Sequence, residues 1–223
     1  MQRAQVIRLE QYLMRLWEMK ASGRATATSD ELAEVVGVSG SRVRQDMMAL
    51  HIVGKPRSGY VIAELEQHIH EALDLYDTKG MVLVGCGNLG RALINSGIWK
   101  HAGFALRAIF DNKPDIIGTQ IGRLTVQPVD ELARTIRRNR ITAACITVPT
   151  LAAQPVADIL VEAGVRGIWN FASTDLKIPP EVVLENQHLE HGLMTLSYML
   201  KRHAQEADRN ASVPEDPPHD GNV

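Results

Sequence analysis

Apolar residues recur at helical spacing from Val6 to Glu18, with Ile7, Leu9, Leu13, Leu16 and Trp17 among them. A first amphipathic helix is predicted there, ending before Gly23. Thr28 and Glu31 then stand at the separation of a capping box, ahead of Leu32, Val35 and Val36, so a second helix starts at that point. Gly37 makes a turn, and Ser39 caps a third helix running to about Leu50. Two short helices joined by a tight glycine-containing turn form a helix-turn-helix pattern. Residues 53–61 follow as two short extended pieces around a glycine- and proline-rich loop, the pattern of a β-hairpin wing. A helix over 62–76 leads to the linker 77–80, where the domain boundary falls.

Beyond the linker the period changes. Apolar runs at 81–84, 104–110, 143–148, 166–170 and 182–185 predict strands, and 89–101, 129–139 and 151–163 predict the helices between them. Alternation of this kind makes a mostly parallel sheet covered on both faces. The expected fold is therefore α/β. It comprises an N-terminal winged helix-turn-helix domain (1–76), a Rossmann-type doubly wound parallel-sheet domain (81–188) and a C-terminal helix (189–203). A disordered tail (204–223) follows, rich in Pro and Asp and without apolar period from 212 onward.

Composition narrows the function classes. No apolar run approaches the roughly 18 residues that span a bilayer, and the N-terminus lacks a signal-peptide pattern. Cys86 and Cys145 are the only cysteines, without C-x-x-C or metal-ligand spacing. A cytoplasmic protein is expected, with no membrane and no metal. The net charge of −2 gives no general attraction for nucleic acid, so such binding must come from a local patch.

The chemistry concentrates at Gly85-Cys86-Gly87-Asn88-Leu89-Gly90, directly after the apolar run 81–84 and opening into a helix from Leu89 onward. A second apolar run ends at Asp111, 21 residues beyond Gly90. This is the dinucleotide fingerprint in its proper context of strand, turn, helix, strand and acid. Gly85 allows the tight turn, Gly87 lets a pyrophosphate approach the backbone, and Gly90 lets the helix pack close to the strand. Free N–H groups at the helix start favour the phosphates. Asp111 accepts from a ribose 2′-OH and repels a 2′-phosphate, which favours NAD(H) over NADP(H). Thr147, Val148 and Pro149 follow one strand end and Asn170, Phe171 and Ala172 the next, where ligands sit in open α/β sheets. Cys86 is read as a small residue filling the turn in preference to a redox-active thiol.

A second cluster lies in the first domain. Residues 1–76 hold nine Lys/Arg against ten Asp/Glu, but from Ser39 to Tyr60 there are Arg42, Arg44, Lys55 and Arg57 against Asp46 alone. Arg42 lies near the start of the third helix, the end that contacts base edges in helix-turn-helix proteins, and can pair bidentately with guanine. Arg44 projects about 200° away, which suits a phosphate contact. Lys55 and Arg57 on the wing reach phosphate or the minor groove.

In this order the motifs resemble the Rex family of bacterial redox-sensing transcriptional repressors, over about residues 5–200. The shared stretches are Val43-Arg44-Gln45-Asp46, Gly59-Tyr60, Gly85 through Leu93, Phe110-Asp111, Thr147-Val148-Pro149, Asn170-Phe171-Ala172 and Leu196-Ser197-Tyr198. The resemblance implies a homodimer whose winged helices bind a palindromic operator in double-stranded DNA. NADH closes the dimer and releases the DNA, whereas NAD+ competes without doing so. Cofactor residues are then Gly85, Gly87, Asn88, Leu89, Gly90, Asp111, Thr147, Val148, Pro149, Asn170, Phe171 and Ala172. DNA-binding residues are Ser39, Arg42, Arg44, Gln45, Lys55, Arg57, Ser58 and Tyr60. The last helix, with Leu189, Leu193, Leu196, Met199 and Leu200 as an apolar stripe, would be exchanged between subunits.

The chain departs from the family where the domains couple. An Arg, a Tyr and an Asp of the family pattern fall on Met14, Ser96 and His188, which removes a charged pair and a phenol and introduces a titratable imidazole. No separate catalytic domain follows the fingerprint, and no Ser-His-Asp or metal constellation is apparent, so a sensor is expected in preference to an enzyme. The alternatives are a small NAD-dependent oxidoreductase with a helical dimerisation domain, a Rex-like DNA-binding protein with altered ligand response, and a winged helix used as a protein-interaction module.

Overall fold

The computed structural model describes residues 1–55 and 58–211, with side chains through 206. Arg57, expected on the wing, and residues 212–223, expected as a tail, lie outside the described residues. The chain divides into two compact units: residues 1–79 with 97–105, and residues 80–96 with 106–223.

In the first unit, α1 (Arg3–Ala21) buries Leu9, Tyr12, Leu13, Leu16 and Met19, one face of the helix. The strand β1 (Thr26–Ala27) leads into α2 (Ser29–Val36), whose capping box forms as expected: the Thr28 side chain accepts from Glu31 N–H, and Glu31 Oε2 accepts from Thr28 N–H at 2.9 Å. Gly37 ends α2 in the left-handed conformation, and Ser39 caps α3 (Gly40–Ala49) by accepting from Arg42 N–H. The strand β2 (Tyr60–Val61) pairs antiparallel with β1 and leads directly into α4 (Ile62–Ala72). The helices close on Leu9, Leu16, Leu32, Val43, Met47 and Leu65. The wing is minimal: Lys55 and Gly59 exchange backbone hydrogen bonds of 2.7 and 3.0 Å in an isolated bridge.

The second unit is a seven-stranded sheet. It is formed by β3 (Lys79–Val84), β4 (Phe104–Asp111), β5 (Gln120–Ile121), β6 (Leu124–Pro128), β7 (Ala143–Ile146), β8 (Gly167–Asn170) and β9 (Val183–Asn186), in spatial order 5-6-4-3-7-8-9. The pairs β3–β7, β4–β6, β7–β8 and β8–β9 are parallel, and β5 is an antiparallel edge strand. The parallel strands β3, β4 and β6 run outward in chain order on one side and β7, β8 and β9 on the other, so the switch point lies between β3 and β7. The helices of this unit are α5 (Asn88–Ser96), α7 (Leu132–Asn139) after a 3-10 turn, and α8 (Thr150–Ala163), whereas α6 (Ile98–His101) belongs to the first unit. The core joins Val82, Val84, Phe110, Ile146, Leu160 and Ile168. The last helix, α9 (Leu189–Ala211), runs into the region expected as tail.

Three differences from the sequence reading have physical causes. The helix expected over 89–101 breaks at Gly97, which sits at φ +71. Residues 97–105 group with the first unit: Lys79 N–H donates to Gly103 O at 2.9 Å, and the His101 and Trp17 ring centroids are 5.4 Å apart. The β5–β6 hairpin was not expected, because its strands are short and mixed in polarity. The helix expected over 62–76 ends at Ala72, with Asp74 in the left-handed region at φ +54.

Candidate functional site

The loop after β3 occupies the switch point. Gly85 lies at φ +103, and a Cβ there would meet the Thr147 carbonyl and Val148 N at 2.7–2.9 Å, so the turn requires glycine. Gly85 N–H donates to Phe110 O at 2.8 Å, and Thr147 Oγ1 donates to Gly85 O at 2.6 Å, tying the loop to the strands on either side. A Cβ on Gly90 would collide with Gly85 O, which explains the close approach of α5 to the loop. A Cβ on Gly87 would meet nothing within 4 Å; that position faces open space. A cavity of about 660 Å³ opens there, lined by Gly85, Gly87 and Leu89 from the loop and α5, by Thr147, Val148 and Pro149 after β7, and by Phe171 and Ala172 after β8. Asp111 lines it from the end of β4, followed by Asn112 and Lys113.

Nine of the twelve expected cofactor residues thus line one cavity, and three do not. Asn88 is exposed at the start of α5 outside the lining, and Gly90 is buried against the glycine loop. Asn170 is fully buried: its Oδ1 accepts from Ala172 N–H, and its Nδ2 donates to Ala172 O, Thr174 O and Asn186 Oδ1. It shapes the loop that carries Phe171 and Ala172. Asp111 is 7% exposed and has structural duties as well, since its carboxylate accepts from Cys86 N–H at 2.6 Å and Lys113 N–H at 2.9 Å. Cys86 is buried, and burial followed by the Asp111 charge pushes its thiol up to about 11. A thiolate nucleophile is disfavoured, consistent with the turn-filling role. The sequence reading missed Asn112, Lys113, Ser173 and the start of α8; the register of the strand ends carries the signal that reaches them.

In the first unit, Arg42, Arg44, Gln45, Lys55 and Ser58 are exposed. Arg42 Nη1 donates to Gln45 Oε1 at 3.2 Å, while Arg44 Nη1 donates to Ser29 Oγ at 2.9 Å. Arg44 and Lys55 border one concavity with Ser29 and Met48, and Arg42 stands outside it, which agrees with divergent projection from α3. Tyr60, expected among the DNA-binding residues, is largely internal. It is 6% exposed because β2 pairs Tyr60 with the buried Ala27, and burial raises its phenol pKa. It supports the wing from the core and offers little surface to DNA. Asp46 is also internal: its carboxylate accepts from Arg8 at 2.6 and 2.7 Å and from the Tyr12 hydroxyl at 3.1 Å. Burial pushes this carboxyl up, but the Arg8 hydrogen bonds and charge outweigh it and hold the group below the usual range. The Tyr12 phenol is pushed up to about 12 by burial and by the Asp46 charge.

Known proteins match both units. Residues 3–47 match the family described as "Putative DNA-binding protein N-terminus", and residues 76–174 match the family described as "CoA binding domain". A redox-sensing transcriptional repressor Rex of Clostridium botulinum is 36% identical over 199 residues, covering 89% of this chain and 95% of the relative. That of Clostridium perfringens is 36% identical over 197 residues, covering 88% and 93%. The chain belongs to the Rex family. Among solved structures, a Rex-family repressor named RSP in complex with NADH superposes with a TM-score of 0.84 at 36% identity, covering 93% of this chain and 98% of that one. RSP with NAD+ and operator DNA gives 0.83 at 34% identity, covering 96% and 99%.

Met14, Ser96 and His188, expected to depart from the family pattern, all lie within the described residues. Met14 is exposed on α1, and Ser96 Oγ donates to Leu93 O at 2.8 Å at the end of α5. His188 Nδ1 lies 3.8 Å from Glu190 Oε1, and its ring centroid is 4.7 Å from that of His191. Among the described residues no helix is long and apolar enough to cross a membrane, and no metal-holding group of His, Cys, Asp and Glu occurs.

Proposed function

We propose that this chain is an NADH-responsive transcriptional repressor acting in the cytoplasm. Its winged helix binds palindromic operator DNA, and NADH in the second unit releases it. One observation carries the reading: the cavity at the β3/β7 switch point, floored by a glycine loop that is open at Gly87, lies in a chain that superposes on RSP bound to NADH. The pyrophosphate would meet the start of α5 beside Gly87, with the ribose near Asp111 and the nicotinamide toward Phe171 and Ala172. The nucleotide is a sensed ligand and is not turned over, in keeping with relatives named as repressors. In the first unit, Arg42 reads base edges, Arg44 contacts phosphate, and Lys55 reaches phosphate or the minor groove. Ser39 presents α3 through its cap, with Gln45 and Ser58 beside these cations. A second copy of the chain covers the apolar face of α9.

Fluorescence anisotropy on a Rex-type palindrome, against an unrelated duplex, tests the reading. Specific binding that is lost on adding NADH and kept with NAD+ is expected. Specific binding indifferent to NADH would refute the switch, and equal affinity for both duplexes would refute the repressor.

A further inference from the structure

The exposed face of α3 is not uniformly polar. At about 100° per residue, Ser41, Gln45 and Met48 fall within about 60° of one another, opposite the buried Val43, Asp46 and Met47. Arg44 and Arg42 stand at the two edges of this face. Arg44 Nη1 donates to Ser29 Oγ at 2.9 Å, which draws its side chain toward the start of α2, and Met48 is 70% exposed. Met48 lines a concavity of about 540 Å³ with Ile52 and Val53, and Val53 is 88% exposed. Arg44, Lys55, Ser29 and Asp30 border the same concavity. A single exposed apolar side chain needs no explanation, but two in one concavity beside cations do. A face that meets DNA gains from cations at the phosphates and from hydrogen-bonding groups at base edges. An apolar side chain gains there from the thymine C5-methyl, the apolar group that base edges present in the major groove.

Resting on the operator reading above, we propose that Met48 is a specificity-determining residue that reads a thymine C5-methyl in each operator half-site. Met48 lies six residues beyond Arg42, about 9 Å along the helix axis. At about 3.4 Å per base pair, that is roughly two to three pairs from the guanine that Arg42 reads. The unbranched, flexible thioether follows the methyl as the groove varies, and the contact removes both apolar groups from water. Cytosine at that position offers no methyl, so the contact selects T against C.

The test is a double-mutant cycle on the full chain, read by fluorescence anisotropy on the palindromic duplex. Each thymine is replaced in turn by deoxyuridine, symmetrically in both half-sites, which removes the methyl and nothing else. At one position the unmodified protein is expected to lose about fourfold per half-site and about 15-fold for the symmetric duplex, the worth of one buried methyl in each. Met48→Ala should lose at least as much on the thymine duplex and show no further loss with deoxyuridine at that position. Any effect of deoxyuridine on the duplex itself appears equally in both proteins, so the cycle isolates the contact. The affinity of Met48→Ala for an unrelated duplex should be unchanged, which also reports that the domain is folded. Indifference of the unmodified protein to deoxyuridine at every position would overturn the inference, as would the same deoxyuridine loss in Met48→Ala. An equal loss by Met48→Ala on the palindrome and the unrelated duplex would overturn it too, by making Met48 a support of the domain. Failure of the unmodified protein to prefer the palindrome would overturn the operator reading and this inference with it.

Discussion

Two aspartates show how far a residue's type underdetermines its duty. Asp46 stood out in the sequence as the lone acid in a basic stretch, and it is in fact the internal partner of Arg8 and Tyr12, at 3% exposure. Asp111 is expected as a ribose acid from its place at a strand end, whereas its capping of the glycine-loop amide depends on strand register, which spacing alone does not fix. The Asp46 pair has a consequence for acid stability. A carboxyl held below its ordinary value binds its proton more readily in the unfolded chain, so its stabilisation is present above about pH 4 and is lost as pH falls through the native value. Glu31 acts in the same sense. The Arg24 hydrogen bond, then the Thr28 amide, brings it from 4.5 to about 2, and its contribution fades between those values. Urea midpoints followed by circular dichroism should therefore be flat near neutrality and fall below about pH 4.5. Asp46→Asn should cost roughly 3 kcal/mol at neutral pH, since it strands the Arg8 charge, and should reduce the acid slope. A neutral-pH midpoint unchanged in Asp46→Asn would show that the pair contributes no net stability.

At the level of elements, legibility followed periodicity and burial. Helices α1, α2 and α3 were readable because their apolar stripes and the caps at Thr28 and Ser39 agree. Strands β3, β4, β7 and β8 were readable because buried parallel strands are short continuous apolar runs. The β5–β6 hairpin offers no such run, and the turn at Gly97 lay hidden inside a pattern that is helical on both sides. Of the candidate sites, the glycine requirement at Gly85 and Gly90 was legible from the motif, whereas the inward turn of Tyr60 depends on pairing with β1, a strand of two residues. The last helix was readable as amphipathic, and its stripe remains uncovered: Leu193 is 69% exposed and Leu200 63%. An apolar face of that extent calls for a partner, and two-fold pairing of identical chains is the commonest way to supply one. Leu193→Glu combined with Leu200→Glu should shift sedimentation from dimer toward monomer at micromolar protein while NADH binding persists. A dimer of unchanged stability would remove α9 from the interface.

For the molecule as a whole, the question is whether two units that each carry a site share one equilibrium. NADH can release operator DNA only by its difference in affinity between the DNA-competent and DNA-released states. The size of that difference is a property of this chain that titration measures. Linkage makes the coupling measurable from either end. If saturating NADH weakens operator binding by some factor, saturating operator must weaken NADH binding by the same factor, about 5- to 150-fold for typical coupling free energies of about 1–3 kcal/mol. NADH affinity should therefore be measured by calorimetry with and without a saturating palindromic duplex, and operator affinity by anisotropy with and without saturating NADH. The two ratios are expected to agree and to exceed fivefold. Ratios near one in both directions would mean that sensing and binding are uncoupled in this chain. Unequal ratios would point to a second process, such as a change of oligomeric state, and the same pair of titrations repeated across protein concentration would expose it. If Ser96 carries coupling, Ser96→Tyr should raise both ratios together, because a residue that acts on the shared equilibrium cannot alter one ratio alone.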